Sequence, residues 1–219
     1  MLEALNMPKV TVVDYGMGNL LSVRRGLEHC GADVIVTADP DIILSAPRVV
    51  LPGVGAFVDG VSELRSQGLD AVVQEVVDRG IPLLGICLGM QMLLDESEEF
   101  GITRGLGLIP GRVVPVPSTT ISGDSQKIPH IGWNSLVLPE GLENWEGGLL
   151  QEVNPREAVY FVHSFMAIAN NPEDRIANCL YGGIPVTATI GRDNIYGCQF
   201  HPEKSGEVGL KVLRSFLSL

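Results

Sequence analysis

Short apolar runs alternate with amphipathic stretches through the N-terminal half of the chain. Residues 10–14, 33–37, 48–51 and 82–86 are β-rich runs of strand length. Between them, residues 19–29 put Leu20, Val23 and Leu27 on one helical face, and residues 61–64 and 69–77 repeat apolar positions at helical spacing. Strands separated by helices predict βαβ units, and so an open, mostly parallel sheet with helices on both faces. The pattern changes after Glu99. Residues 105–117, 128–138, 158–162, 176–180, 184–190 and 195–199 are all strand-like with few helices between them, which predicts a hairpin-rich antiparallel extension of the sheet. A helix over 206–217, with Ser205 as its N-cap, closes the chain. Residues 118–127 are polar and contain glycine, and are expected to form a mobile loop. The resulting expectation is an α/β fold in which residues 1–8 are a tail and 9–219 a single domain.

Composition narrows the partners. The chain has 219 residues, 45% of them apolar, enough for one large core. A net charge of −11 with only 15 Lys and Arg argues against a nucleic-acid or anionic-membrane surface, which needs a basic face. Cys30, Cys87, Cys179 and Cys198 show no C-x-x-C pair and no metal-like spacing, so neither a metal site nor a disulfide scaffold is expected. Cys30, Cys179 and Cys198 lie beside apolar runs and read as buried thiols. Residues 1–8 lack a basic region followed by an apolar one, and no apolar stretch is long enough to span a membrane. A soluble, cytoplasmic protein is expected. Met7 is an alternative start, since residues 1–6 carry no pattern.

Against that background Cys87 stands out. It sits in Gly85-Ile86-Cys87-Leu88-Gly89, after an apolar strand and before a helix-forming run at 88–94. Strand, small-X-Cys-X-small and helix are the sequence form of a nucleophile elbow, in which the glycines allow a sharp turn. Partial positive charge at a helix start favours a thiolate, so Cys87 is expected to be reactive at neutral pH. Far down the chain, Gln199-Phe200-His201-Pro202-Glu203 supplies a base and its orienter. Glu203 is two residues from His201, on the same side of an extended segment that Pro202 stiffens. Cys87, His201 and Glu203 thus form a candidate catalytic triad. The turn Pro52-Gly53-Val54-Gly55 follows a strand and can aim N–H groups at an oxyanion, joined by the N–H of Leu88. Gln91 lies one helical turn after Cys87 and faces the same pocket. Singly, each feature is commonly structural: a packed thiol, a strand end, a turn. Their combination is what points to catalysis.

Gly85-Ile86-Cys87-Leu88-Gly89-Met90-Gln91 and Gln199-Phe200-His201-Pro202-Glu203-Lys204-Ser205 resemble the two signature blocks of the class I glutamine amidotransferases. Asp14-Tyr15-Gly16-Met17-Gly18-Asn19, Pro129-His130-Ile131-Gly132-Trp133-Asn134 and Tyr160-Phe161-Val162-His163-Ser164-Phe165 are similar to the glutaminase-subunit branch of imidazole glycerol phosphate synthase. The resemblance covers nearly the whole chain. It implies hydrolysis of L-glutamine through a thioester on Cys87, without a cofactor or metal. It further implies a heterodimer with a (β/α)8 cyclase subunit, which uses the ammonia to convert PRFAR to imidazole glycerol phosphate and AICAR in histidine biosynthesis. Glutamine contacts would come from Gln91, Glu99, Ser164 and Phe165, with oxyanion donors from Gly53, Val54 and Leu88. Trp133, Asn134, Tyr160 and Lys204 would face the cyclase. On the residues alone, Glu99 reads equally as part of a solvated acidic loop, Trp133 and Tyr160 as core aromatics, and Lys204 as a surface charge. Two departures from the family pattern stand out: Val54 replaces a glycine common in the wider class, and Phe165 replaces a tyrosine. Neighbouring readings are a different amidotransferase subunit, a free-standing γ-glutamyl hydrolase, and a regulatory binding module that kept the fold.

Overall fold

The structure is a computed structural model and describes residues 7–145 and 147–219. The tail residues 1–6 lie outside the described residues. Four strands of the parallel half form where the apolar runs place them: β1 (Lys9–Val13), β2 (Asp33–Thr37), β3 (Val49–Gly53) and β4 (Leu83–Cys87). They are separated by α1 (Leu20–His29), α2 (Pro40–Leu44), α3 (Phe57–Ser66) and α4 (Leu69–Asp78). The pattern does not predict α2, because five residues are too few to show a helical period. Its signal is local: the Asp39 carboxylate accepts from the N–H groups of Asp41 and Ile42, and Pro40 opens the helix.

The remaining elements are α5 (Leu88–Met92), β5 (Glu96–Ser97), β6 (Thr103–Arg104), β7 (Gly111–Pro115), β8 (His130–Val137), β9 (Ala158–His163), β10 (Phe165–Ala169), β11 (Arg175–Tyr181), β12 (Ile184–Arg192), β13 (Ile195–Cys198) and α6 (Gly206–Leu217). The main sheet runs β2-β1-β3-β4-β13-β12-β11-β8-β9. It is parallel from β2 to β13 and antiparallel from β13 to β9. The expected hairpin-rich extension is therefore present, but it does not hold every late strand. A second sheet, β10-β7-β5-β6, stands apart.

Burial follows the strand period. Val50, Leu84 and Ile86 point to one face, where α1 and α6 bring Leu27, Leu213 and Phe216. Val49, Leu51 and Leu83 point to the other, against Phe57, Val61, Leu64 and Val73 of α3 and α4. Each of these fully buried side chains contributes about 2 kcal/mol of transfer free energy.

Three expectations need correction. Strand structure within 105–117 begins only at Gly111, and the expected helix at 88–94 ends at Met92. Three hydrogen bonds explain both: the N–H groups of Leu106, Gly107 and Leu108 donate to the carbonyls of Met92, Leu94 and Leu93, which satisfies the helix end and takes these N–H groups away from a sheet. Ser205 makes no side-chain cap for α6; its hydroxyl is used at the candidate site. The stretch 118–127 is a loop, as expected, and hydrogen bonds tie it down. Thr119 bridges Ser125, the Ile121 N–H donates to the Gly182 carbonyl, and the Gln126 amide donates to the Pro117 carbonyl at 2.6 Å.

Candidate active site

Cys87 ends β4 with φ 54° and ψ −111°, a left-handed backbone that a side-chain-bearing residue adopts only under strain. The neighbouring glycines are sterically required. A Cβ on Gly89 would lie 1.9 Å from the Leu51 carbonyl oxygen, and one on Gly85 would lie 2.8 Å from the Gly89 carbonyl. The start of α5 thus presses against β3 and β4, and this close approach lifts Cys87 off the sheet edge. Gly53 stands opposite Cys87 in the β3–β4 register. It too has no room for a side chain, because a Cβ would lie 2.6 Å from the Tyr15 hydroxyl. That hydroxyl donates to the Pro52 carbonyl at 2.8 Å and buttresses the turn.

β13 lies beside β4, so its continuation brings Gln199 and His201 to the same end of the sheet. His201 Nδ1 and Glu203 Oε1 are 2.8 Å apart, with both side chains buried. Ser205 pins this turn to β9. Its hydroxyl donates to the His201 carbonyl at 2.6 Å and accepts from the Tyr160 N–H at 2.9 Å, while the His201 N–H donates to the Tyr160 carbonyl at 3.0 Å. Burial alone would lower the proton affinity of His201. The hydrogen bonds and charges of Cys87 and Glu203 outweigh it and push His201 up to about 9. Nδ1 is turned to Glu203, which leaves Nε2 for Cys87.

A cleft of about 300 Å³ opens over these groups. Val54, Leu88, Gln91, Glu99, Ser164 and Phe165 all line it with Cys87 and His201. Gly53 sits behind Val54 and does not line it. Glu99 is tied down, accepting from the Phe57 N–H at the start of α3 at 2.7 Å. Trp133, Asn134, Tyr160 and Lys204 stand outside the cleft. Trp133, 59% exposed, packs edge-on against half-buried Tyr160 with ring centres 6.1 Å apart. Lys204 is exposed within the His201 turn. Asn134 is engaged internally, its amide donating to the Leu180 carbonyl at 2.9 Å.

Two buried histidines, His163 at the cleft and His130 behind it, pair in a way that single motifs do not reveal. His163 Nδ1 donates to the Phe165 carbonyl at 2.8 Å, which leaves its Nε2 to accept from His130 Nδ1 at 3.0 Å. Pairing of β8 with β9 brings them together, a register that their sequence separation hides. Burial lowers both to about 4, so both are neutral at pH 7. Unfolded histidines titrate near 6.5. The unfolded chain therefore binds more protons between about pH 6.5 and 4, and stability must fall as pH drops through that window. Urea unfolding should lose a few kcal/mol between pH 7 and 4.5, on the order of one or two pH units' worth per histidine. His130→Phe should flatten that slope. An equally steep slope in the variant would show that the pair does not titrate on unfolding.

Of the other thiols, Cys179 and Cys198 are fully buried and Cys30 half-buried, and all are free. Burial pushes Cys179 up to about 12 and Cys198 well above its ordinary value. Cys87 is thus the one cysteine that opens on the cleft. Among the described residues no cluster of His, Cys, Asp and Glu could hold a metal ion, and no helix is long and apolar enough to cross a membrane.

An elbow cysteine and a His–Glu pair thus lie together at the carboxyl edge of a mixed sheet. The family profile of glutamine amidotransferase class-I matches residues 11–218, and the chain belongs to that family of enzymes. Within it the chain is similar to the HisH proteins. It is 50% identical over 213 residues to imidazole glycerol phosphate synthase subunit HisH 1 of Legionella pneumophila (strain Lens), covering 97% of this chain and 100% of that protein. It is 47% identical over 210 residues to the HisH subunit of Geobacillus sp. (strain WCH70), covering 96% of each. Among solved structures, PurLQS from Thermotoga maritima shares the fold, with a TM-score of 0.72 at 20% identity over 97% of this chain and 98% of that one.

Proposed function

We propose that this chain is the glutaminase subunit of an imidazole glycerol phosphate synthase, with residues 9–219 working as one amidotransferase domain. The observation that supports this reading best is full-length similarity to HisH subunits in a chain whose Cys87 and His201 line one cleft, with Glu203 bonded to His201. Cys87 attacks the side-chain carboxamide carbon of L-glutamine as a thiolate. N–H groups of Leu88 and of Gly53 or Val54 receive the oxyanion. His201 passes its proton to the departing nitrogen, and the C–N bond breaks to release ammonia. His201 then takes a proton from water, hydroxide attacks the thioester, and glutamate leaves as the thiolate returns. Glu203 holds the imidazole by Nδ1 throughout. Gln91, Glu99, Ser164 and Phe165 position the rest of glutamine. No cofactor enters any step.

Ammonia then serves a (β/α)8 cyclase partner, which converts PRFAR to imidazole glycerol phosphate and AICAR. The exposed Trp133, its neighbour Tyr160 and Lys204 form one patch beside the His201 turn, and this patch, with Asn134 behind it, is the proposed docking face. A glutamine-analogue electrophile tests the chemistry: peptide mapping should find the adduct on Cys87 and on no other cysteine. Labelling elsewhere, or none even with cyclase present, would defeat the reading.

Val54 is the proposed brake. A β-branched residue resists the unusual peptide orientation that an oxyanion donor in this turn requires. Partner docking would supply the energy to turn it. Val54→Gly should then raise partner-free glutaminase activity about tenfold or more, equivalent to about 1.4 kcal/mol of barrier. Unchanged partner-free activity in the variant would remove Val54 from the gate.

A further inference from the structure

Gln199 has no part in the chemistry above, yet its side chain is completely buried between Gln91 and the sulfur of Cys87. A buried carboxamide is costly unless both of its ends are paired, so its orientation is informative. The carbonyl of Phe165 is a backbone acceptor and provides the fixed point. Gln91 Nε2 donates to it at 3.1 Å and also to Gln199 Oε1 at 2.9 Å. His163 Nδ1 donates to the same carbonyl, which holds it in place. Turning the Gln91 amide over would set oxygen against oxygen. Turning Gln199 over would set its NH2 against that of Gln91. Only one arrangement satisfies the set, and it leaves Gln199 Nε2 facing Cys87 Sγ at 3.7 Å.

We propose that Gln199 is a further catalytic residue, donating an N–H to the Cys87 sulfur and so stabilising the thiolate both as nucleophile and as leaving group. This rests on the reading of Cys87 as nucleophile. The same two-amide clamp uses both Gln91 protons inside the protein, so Gln91 offers only its Oε1 to the cleft. A ligand group that meets Gln91 must therefore be a donor, such as an ammonium or an amide N–H. Because Gln199 is fully buried, water competes little for its side of the sulfur contact.

The test uses iodoacetamide, which reports on the sulfur and needs no glutamine pocket. In Gln199→Met and Gln199→Glu, the pH profile of Cys87 alkylation should move up by about one unit, making the reaction about tenfold slower on the rising limb. With the cyclase present, kcat for glutamate release should fall by at least a similar factor. A Gln199 that merely anchors Gln91 would raise KM for glutamine and leave the alkylation profile where it is; that result overturns the proposal. If neither variant folds, side-chain amide NMR of the unmutated protein decides. The Gln199 amide protons should shift in step with Cys87 ionisation, and that titration should vanish in Cys87→Ala. Amide protons that ignore the sulfur would overturn the proposal equally. Failure of unmutated Cys87 to alkylate at all would instead count against the nucleophile assignment.

Discussion

Cys87→Ser will lower glutamate release by about 10⁴-fold or more, and His201→Asn will do comparable damage. A serine hydroxyl in this geometry has no thiolate to offer, and an asparagine at 201 neither holds nor returns a proton. Because the two groups act as one unit, the double variant should be little worse than either single one. Steady-state glutaminase assays with the cyclase present read this directly. Additive losses would mean that the two residues serve separate steps. Stability should move the other way. Cys87 holds a left-handed backbone at φ 54°. Glycine adopts that conformation freely, so Cys87→Gly should be more stable than Cys87→Ala by about 1 kcal/mol, the reverse of the usual order. Thermal unfolding of the two inactive variants checks it. An alanine variant as stable as the glycine variant would show that the elbow stores no strain.

Gly89→Ala carries the largest expected structural effect. The added methyl would lie 1.9 Å from the Leu51 carbonyl oxygen, a backbone atom in the centre of the sheet. Relief requires α5 to withdraw from β3 by more than 1 Å, roughly, which breaks close packing and displaces Cys87. A loss of about 3 kcal/mol or more in unfolding free energy is expected, together with loss of activity in whatever fraction folds. Gly31→Ala is the control. Its Cβ would meet nothing within 4 Å, and the cost there is the backbone strain of φ +85° alone. If Gly89→Ala is no more costly than Gly31→Ala, the elbow is not held by close approach to β3.

These glycines show how much of the site can be read in advance. The small-X-Cys-X-small spacing locates the elbow because the backbone clash it avoids is local in sequence. The His201–Glu203 pair is legible because the two residues are neighbours in sequence, although Pro202–Lys204 form a 3-10 turn and not the extended segment expected. Long-range pairing is less accessible. Nothing in the sequence around His130 or His163 reveals that β8 and β9 align them at 3.0 Å. Gln199 is visible within its motif, but its contact with Cys87 exists only because β13 inserts beside β4. Ser205 stands at the N-cap position as read, but its hydroxyl does not cap the helix because it is used by Tyr160 on a distant strand, β9. Among the fold elements, the buried strands with continuous apolar runs are read correctly, whereas five-residue α2 and the second sheet are not. Short elements are set by capping bonds and neighbours more than by their own period.

The central claim is a glutaminase that is held back until its synthase partner is loaded. Glutamate release from glutamine should be measured with this chain alone, with the (β/α)8 cyclase, and with the cyclase plus its nucleotide ligand. The account predicts a slow rate alone and a rise of about a hundredfold or more in the loaded complex, equivalent to about 2.7 kcal/mol of barrier. Fast release by the chain alone, unaffected by cyclase or ligand, would contradict it and favour a free-standing γ-glutamyl hydrolase.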